Sequence, residues 1–411
     1  MNYQQSQKWL EQYINWEVKS PEAAELNLQT IKQTLGRLGD PQHAYPVIHI
    51  AGSKGKGSTA AMCSACLQSA GLKVGLLTSP HLTNVRERMR ILTPKDDLGW
   101  IPEANFSKIL TDLSPVLKEC KPSYFEILCI VGFEHFKRKQ VDIAVIEVGL
   151  GGKTDATNVV EPLVSIITSI SKEHSHILGD TLAEITNHKA GIIKPSVPVV
   201  TFNQPKEVMD VISNTAQQQN SELLLAGSYS LQILQPLNLN LKGSHQLQNA
   251  SLAVTALQQV RQQFPQLTNK AIKQGLETVK WPGRFQELQS PTASQPGVLV
   301  DGAHNVDSIN HLIETLASEY SGMPLHFLFG VNKGKDIQAM YELIKPHATS
   351  ITLTSSNHPK AMPTEELATM CGVDDCKKYK LKDVLKLLKN TVNPGELIVI
   401  TGSLYVVGEV L

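Results

Sequence analysis

The reading turns on Val47-Ile48-His49-Ile50-Ala51, which runs straight into Gly52-Ser53-Lys54-Gly55-Lys56-Gly57-Ser58-Thr59. Five mostly apolar, partly β-branched residues predict a buried strand. Gly52, Gly55 and Gly57 predict a tight turn, and the small residues that follow predict a helix. Outward from this unit, short apolar runs recur at Val74–Thr78, Ile143–Val148, Leu163–Thr168 and Val197–Phe202. Helical patterns separate most of them, which is the rhythm of βαβ units and a mostly parallel sheet.

Towards the N-terminus, Ser20-Pro21 reads as a helix cap with proline at the first helical position. Ile31, Leu35 and Leu38 keep helical spacing until Gly39-Asp40-Pro41 ends the pattern. Towards the C-terminus, residues 289–297 (QSPTASQPG) are polar and rich in Ser, Pro and Gly, and are expected to be an interdomain linker. Beyond them Val298–Val300, Leu325–Phe329, Ile351–Thr354 and Leu397–Thr401 predict strands, and Ile309, Leu312, Ile313 and Leu316 a helical stripe. The expectation is an α/β chain. It comprises an N-terminal P-loop ATPase-type domain with a mostly parallel sheet over 1–288 and a smaller Rossmann-like α/β domain over 298–411. A length of 411 residues suits two domains.

Lys and Arg balance Asp and Glu at 38 each. With no bulk field to hold a polyanion, neither a nucleic-acid nor a membrane partner is expected. The first 18 residues lack the basic start and apolar run of a signal peptide, and no apolar stretch approaches a membrane span, so the cytoplasm is expected. Cys63 and Cys66 form a CxxC, but no second Cys or Cys/His pair follows at zinc spacing. In a small-residue helix they read as packing cysteines in a reducing compartment.

Glycines between a buried strand and a helix start let backbone N–H groups close around phosphate oxygens, with the helix dipole aiding. The loop is shorter than the standard Walker pattern and has Gly57 after the lysine. Lys56 is placed for the terminal phosphates, and Ser58 or Thr59 offers a hydroxyl to Mg²⁺. Glu147, at a strand end before Gly149-Leu150-Gly151-Gly152, is either a hard-oxygen metal ligand or a buried structural acid. His174 follows the strand Leu163–Thr168 at the same sheet edge, as a site residue or a packing histidine. Lys189 ends a helix beginning near Thr181, and is either solvated or, through carbamylation, a metal-binding carboxylate. Asp301, where a strand gives way to a helix, is a site residue or that helix's N-cap.

Taken in order, Ala51–Thr59 (AGSKGKGST), Thr78–Leu82 (TSPHL), Glu147–Asn158 (EVGLGGKTDATN), Leu178–Leu182 (LGDTL) and Lys189–Ile193 (KAGII) resemble the folylpolyglutamate synthase/dihydrofolate synthase family of Mur ligases. Ser244–Ala250 (SHQLQNA), Trp281–Arg284 (WPGR), Asp301–Asn305 (DGAHN) and Gly402–Tyr405 (GSLY) extend the resemblance over nearly the whole chain.

The resemblance implies an ATP-dependent ligase that adds glutamate to a folate-type carboxylate through an acyl phosphate, with two Mg²⁺ sites. It implies that Gly52–Thr59 cradles ATP, with Lys56 and Ser58 on the phosphates. Ser58, Ser79, Glu147, His174 and a carbamylated Lys189 would hold the metals. Asn249 would meet adenine, Arg284 the phosphates, and Asp301 and His304 the nucleotide from the second domain. Lys56, Lys189 and Arg284 would be the catalytic residues. Pro122–Glu126 is similar to the segment lining the pterin site of bifunctional members, so Phe125 would stack on a pterin and Asp155 hydrogen-bond it. The sequence departs from the family at Glu173 (usually Asp), Lys153-Thr154 (usually Arg-Leu), His188 (usually Glu) and over residues 91–100. The alternatives are a monofunctional folylpolyglutamate synthase and a nucleotide-gated binding protein without catalysis. A monomer is expected.

Overall fold

The computed structural model describes residues 1–15, 27–96, 98–232, 234–373 and 381–411. Ser20-Pro21 and Cys376 therefore lie outside the described residues. Two units are found. The first comprises 1–240 and 246–279, the second 241–245 and 280–411.

In the first unit the strands are β1 (Val47–Ala51), β2 (Val74–Leu77), β3 (Met89–Leu92), β4 (Ile143–Glu147), β5 (Val164–Ile167), β6 (Val199–Phe202) and β7 (Leu223–Ala226). They form one sheet in the order β3-β2-β4-β1-β5-β6-β7. All pairings are parallel except β2 with β3. Every residue of β1 is fully buried, because helices cover both faces of a parallel sheet and leave no polar side to read in the sequence. The helix Lys56–Ser69 has Ala60, Met62, Cys63, Cys66 and Leu67 all buried. Gly275, on the helix Asn269–Thr278, lies directly against the backbone of Cys66. The two cysteines thus do packing work: Cys66 donates to the Ile272 carbonyl at 3.3 Å, and burial pushes both thiols up.

The order of the sheet positions the site. β1 is central, with β4 and β2 on one side and β5 on the other, so four strand ends open at one edge. Ligands collect at such an edge. The registers Ile50↔Glu147 and Ala51↔Ile167 put the ends of β4 and β5 level with the start of the glycine-rich loop.

In the second unit, β8 (Gln286–Gln289), β9 (Gly297–Val300), β10 (Leu325–Phe329), β11 (Ser350–Leu353) and β12 (Leu397–Thr401) form a sheet ordered β11-β10-β12-β9-β8. β8 is antiparallel to β9 and the others run parallel. Leu299, Ile309, Leu312, Leu316, Phe327 and Phe329 form one core on one side of this sheet. This overturns the linker expected at 289–297. That segment is the turn of the β8–β9 hairpin, tied across by Gln289 Nε2 donating to the Pro296 carbonyl at 2.7 Å. Ser, Pro and Gly mark hairpin turns as strongly as linkers, and composition cannot separate the two. The boundary falls instead between Val279 and Lys280, and Leu241–His245 also joins the second unit.

Candidate active site

The first unit builds a cluster around the turn after β1. Gly52 has φ 150 and Gly55 φ 84. A Cβ on Gly52 would collide with the Thr168 hydroxyl, and one on Gly55 with the Asn249 side chain. The loop is pinned from β5: Ser53 N–H donates to the Ser169 carbonyl at 2.8 Å, and Thr168 Oγ1 to the Lys54 carbonyl at 2.6 Å. Asn249 Nδ2 donates to Gln246 Oε1 at 2.9 Å, and Gln246 Nε2 to Ser58 Oγ at 3.4 Å. Asn249 is thereby held over the loop with Ser58, while Gln246, unremarked within the SHQLQNA motif, is the link between them.

Two lysines share one acceptor. Lys56 Nζ donates to the Gly52 carbonyl at 2.9 Å, and Lys189 Nζ donates to the same oxygen at 2.8 Å. Lys189 also donates to Glu173 Oε1 at 2.7 Å. Its side chain is 1% exposed, so the reading of a solvated helix-end lysine fails. Burial pushes its amine down to about 8, against the pull of Glu173 and with Lys56 adding repulsion. Burial also resists ionisation of Glu173, but Lys189 and Lys56 hold that carboxyl below its usual range. The helix Leu182–Ala190 that delivers Lys189 begins at a capping box between Thr181 and Glu184.

On the other side of β1, Ser79 N–H donates to Glu147 Oε2 at 3.2 Å, joining the ends of β2 and β4. His174, by contrast, is exposed, in the left-handed region at φ 48, one residue after Glu173. Among the described residues no three His, Cys, Asp or Glu side chains cluster tightly enough to hold a metal. The expected ligand set contains only two such side chains, Glu147 and His174, with hydroxyls and Lys189 making up the rest. Its hard-oxygen part, Ser58, Ser79 and Glu147, has the donor chemistry that Mg²⁺ takes. As an ammonium Lys189 cannot ligate a cation, and as a carbamate it can.

Phe125 and Asp155 meet at Gly149. A Cβ built there would lie 2.5 Å from Phe125 Cζ and 3.2 Å from Asp155 Oδ2. Phe125 sits in the first turn of the helix Tyr124–Lys139, capped by Ser123 and Glu126. Asp155 is buried, accepting from Leu150 N–H at 2.8 Å, Thr157 N–H at 2.9 Å and Thr157 Oγ1 at 2.5 Å. Burial lifts its carboxyl above the usual range although these donors oppose the rise.

The second unit gathers Arg284, Asp301 and His304. Asp301 accepts from Phe285 N–H and Ala303 N–H, both at 2.8 Å. Burial raises its carboxyl against Arg284 and those donors. It is not the helix cap. Asn305 caps Val306–Glu319 in a box with Ser308, which frees Asp301 to brace the turn that holds Arg284. A Cβ on Gly302 would meet Arg284 Nη1 at 3.2 Å. His304 Nδ1 lies 2.8 Å from the Gly302 carbonyl.

Residues 50–231 match the Mur ligase middle domain and 283–404 the Mur ligase, glutamate ligase domain. The protein is thus a Mur-type ligase, an enzyme that couples ATP to amide-bond formation. A dihydrofolate synthase/folylpolyglutamate synthase from Bacillus subtilis is 32% identical, over 99% of this chain and 98% of its own length. The chain belongs to the folylpolyglutamate synthase/dihydrofolate synthase family. Among solved structures, a Mycobacterium tuberculosis folylpolyglutamate synthase complexed with ADP superposes with a TM-score of 0.85, at 29% identity, over 99% of this chain and 97% of that one. E. coli FolC in complex with DHPP and ADP also gives 0.85, at 25% identity, over 98% and 96%. Among the described residues no helix is long and apolar enough to cross a membrane.

Proposed function

We propose that this enzyme joins L-glutamate to both dihydropteroate and tetrahydrofolate, each through an acyl phosphate made from ATP. The observation that carries the bifunctional part is the meeting of Phe125 and Asp155 at Gly149, an aromatic face beside a buried acceptor. A pterin presents a flat ring and N–H donors, and this pair complements both. The E. coli protein solved with DHPP and ADP supports the same reading.

A carboxylate is a poor acyl donor to an amine, so it must first gain a leaving group. The acceptor carboxylate attacks the γ-phosphorus of ATP and ADP departs. The glutamate amine then attacks the acyl carbon, the bond from that carbon to the phosphate oxygen breaks, and phosphate leaves as the nitrogen gives up a proton. Gly52–Thr59 holds the phosphates through backbone N–H groups, with Ser53 and Lys54 shaping the turn. Lys56 and Arg284 neutralise the charge that develops on the transferred group, which is positional and electrostatic catalysis. Asn249 takes the adenine, and Asp301 and His304 take the nucleotide side of the second unit. Ser58, Ser79 and Glu147 would hold one Mg²⁺, and His174 with a carbamylated Lys189 a second. When bound, these ions supply Lewis-acid stabilisation of phosphoryl oxygens. The enzyme is taken to work as a cytoplasmic monomer.

The test is ADP release with ATP, Mg²⁺ and glutamate, comparing dihydropteroate, tetrahydrofolate and no acceptor. Release with both acceptors is expected. Release with tetrahydrofolate alone would remove the dihydropteroate activity, and no acceptor-dependent release would sink the proposal.

A further inference from the structure

Behind Asp155 runs a buried hydrogen-bond relay that ends on β1. Thr157 Oγ1 lies 2.5 Å from Asp155 Oδ1, and His49 Nε2 lies 2.9 Å from the same hydroxyl oxygen. Thr157 and His49 are both fully buried. Among the described residues His49 Nδ1 has no hydrogen-bond partner.

These facts orient the relay. A threonine hydroxyl has one proton, and the short contact to a carboxylate takes it. His49 must then donate through Nε2–H, leaving Nδ1 as the unpaired atom. The other tautomer would bury an unpartnered N–H and strip the carboxylate of a donor, which is the worse arrangement in a low-dielectric interior. Burial, with Lys194 adding repulsion, pushes His49 down to about 3, so the ring stays neutral and its direction of donation does not switch near neutral pH.

We infer that Thr157 and His49 are positioning residues for the acceptor: through this one-way relay they fix the Asp155 carboxylate so that Oδ2 is turned towards Phe125. His49 stands three residues before Gly52. The strand that launches the phosphate loop therefore also orients the group that receives the pterin, and the two substrates are registered by one rigid element. The inference rests on the assignment of Asp155 to the pterin, and its test separates the two.

Steady-state ADP release by the full chain, with ATP, Mg²⁺, glutamate and dihydropteroate, reads both. Thr157→Val should raise the dihydropteroate KM about tenfold, the loss of one charge-assisted hydrogen bond, with kcat and the ATP KM within about twofold. Thr157→Ser, which keeps the hydroxyl, should restore it. His49→Gln, which keeps an N–H near the Nε2 position, should bind dihydropteroate better than His49→Leu. If Asp155→Asn raises the dihydropteroate KM but Thr157→Val and His49→Leu do not, the relay is overturned and the pterin assignment stands. If Asp155→Asn leaves that KM unchanged, the pterin assignment falls and the relay with it. A loss of ATP affinity that tracks the loss of dihydropteroate affinity in Thr157→Val and His49→Leu means a merely structural role and also overturns the inference. Should Thr157→Val not fold, the His49→Gln and His49→Leu pair decides alone.

Discussion

The Lys189 ammonium lies 2.7 Å from Glu173 Oε1 and 2.8 Å from the Gly52 carbonyl oxygen, so a helix-end lysine, a loop carboxylate and the first glycine of the phosphate loop form one hydrogen-bonded unit around a buried amine. Glu173 stands where the family usually carries aspartate, and in this chain its carboxylate accepts from Lys189. The unit ties the helix Leu182–Ala190 to the turn after β1, and no short peptide of this sequence would contain it.

Lys189→Ala should reduce acceptor-dependent ADP release by about 10²–10³-fold, the loss expected for one preorganised electrostatic group. ADP binding, measured by calorimetry, should change far less, because Lys56 keeps its own hold on the Gly52 carbonyl. Turnover within a few-fold of the parent would remove Lys189 from the catalytic set.

Glu147→Gln keeps an acceptor oxygen for the Ser79 N–H but deletes the anionic charge at the end of β4. The Mg²⁺ concentration for half-maximal turnover should rise by about tenfold or more, because hard cations take charged oxygen ligands. A Mg²⁺ titration of ADP release checks it, and an unchanged midpoint would place the metal elsewhere.

Gly55→Ala should abolish nucleotide binding while leaving most of the fold. The residue has φ 84, and a Cβ would strike the Asn249 side chain. The left-handed strain alone costs about 1–2 kcal/mol, and relieving the clash pushes Asn249 off the loop. Thermal unfolding should shift by a few degrees, whereas stabilisation by added ADP should vanish.

His49 gives a pH signature with a definite sign. Its ring titrates near 6.5 when unfolded and near 3 when folded. Between those values the unfolded chain binds more protons, so this residue weakens the fold progressively as pH falls from 6.5 to 3 and is neutral above 6.5. Urea unfolding of His49→Gln should show a shallower loss of stability over that window, by a few kcal/mol at its acid end. Parallel curves for parent and variant would contradict the buried, neutral histidine.

The sequence exposes much of this, and unevenly. β1, β10 and β12 run as their apolar patterns suggest, because a strand buried on both faces is a solid apolar run. β3, β7 and β8 carry polar or exposed residues at sheet edges and leave weak patterns. The phosphate loop, Glu147 and Lys189 stand in local motifs and can be found there. The contacts of Lys189 with the Gly52 carbonyl, of Gln246 with Ser58 and of His49 with Thr157 join residues 137, 188 and 108 positions apart. They exist only as consequences of strand order, which no local pattern encodes.

That strand order sets when the enzyme can first work. The strand beneath the phosphate loop is flanked by β4 and β5, which begin some hundred residues later, and Lys189 arrives later still. Pairings of such long sequence separation form slowly and late. A nascent or partly assembled chain thus owns the glycine loop but neither the lysine that shares its carbonyl nor the carboxylates beside it. Without them the proposed chemistry lacks its groups, so ATP turnover is expected only once β4, β5 and the helix Leu182–Ala190 have joined β1.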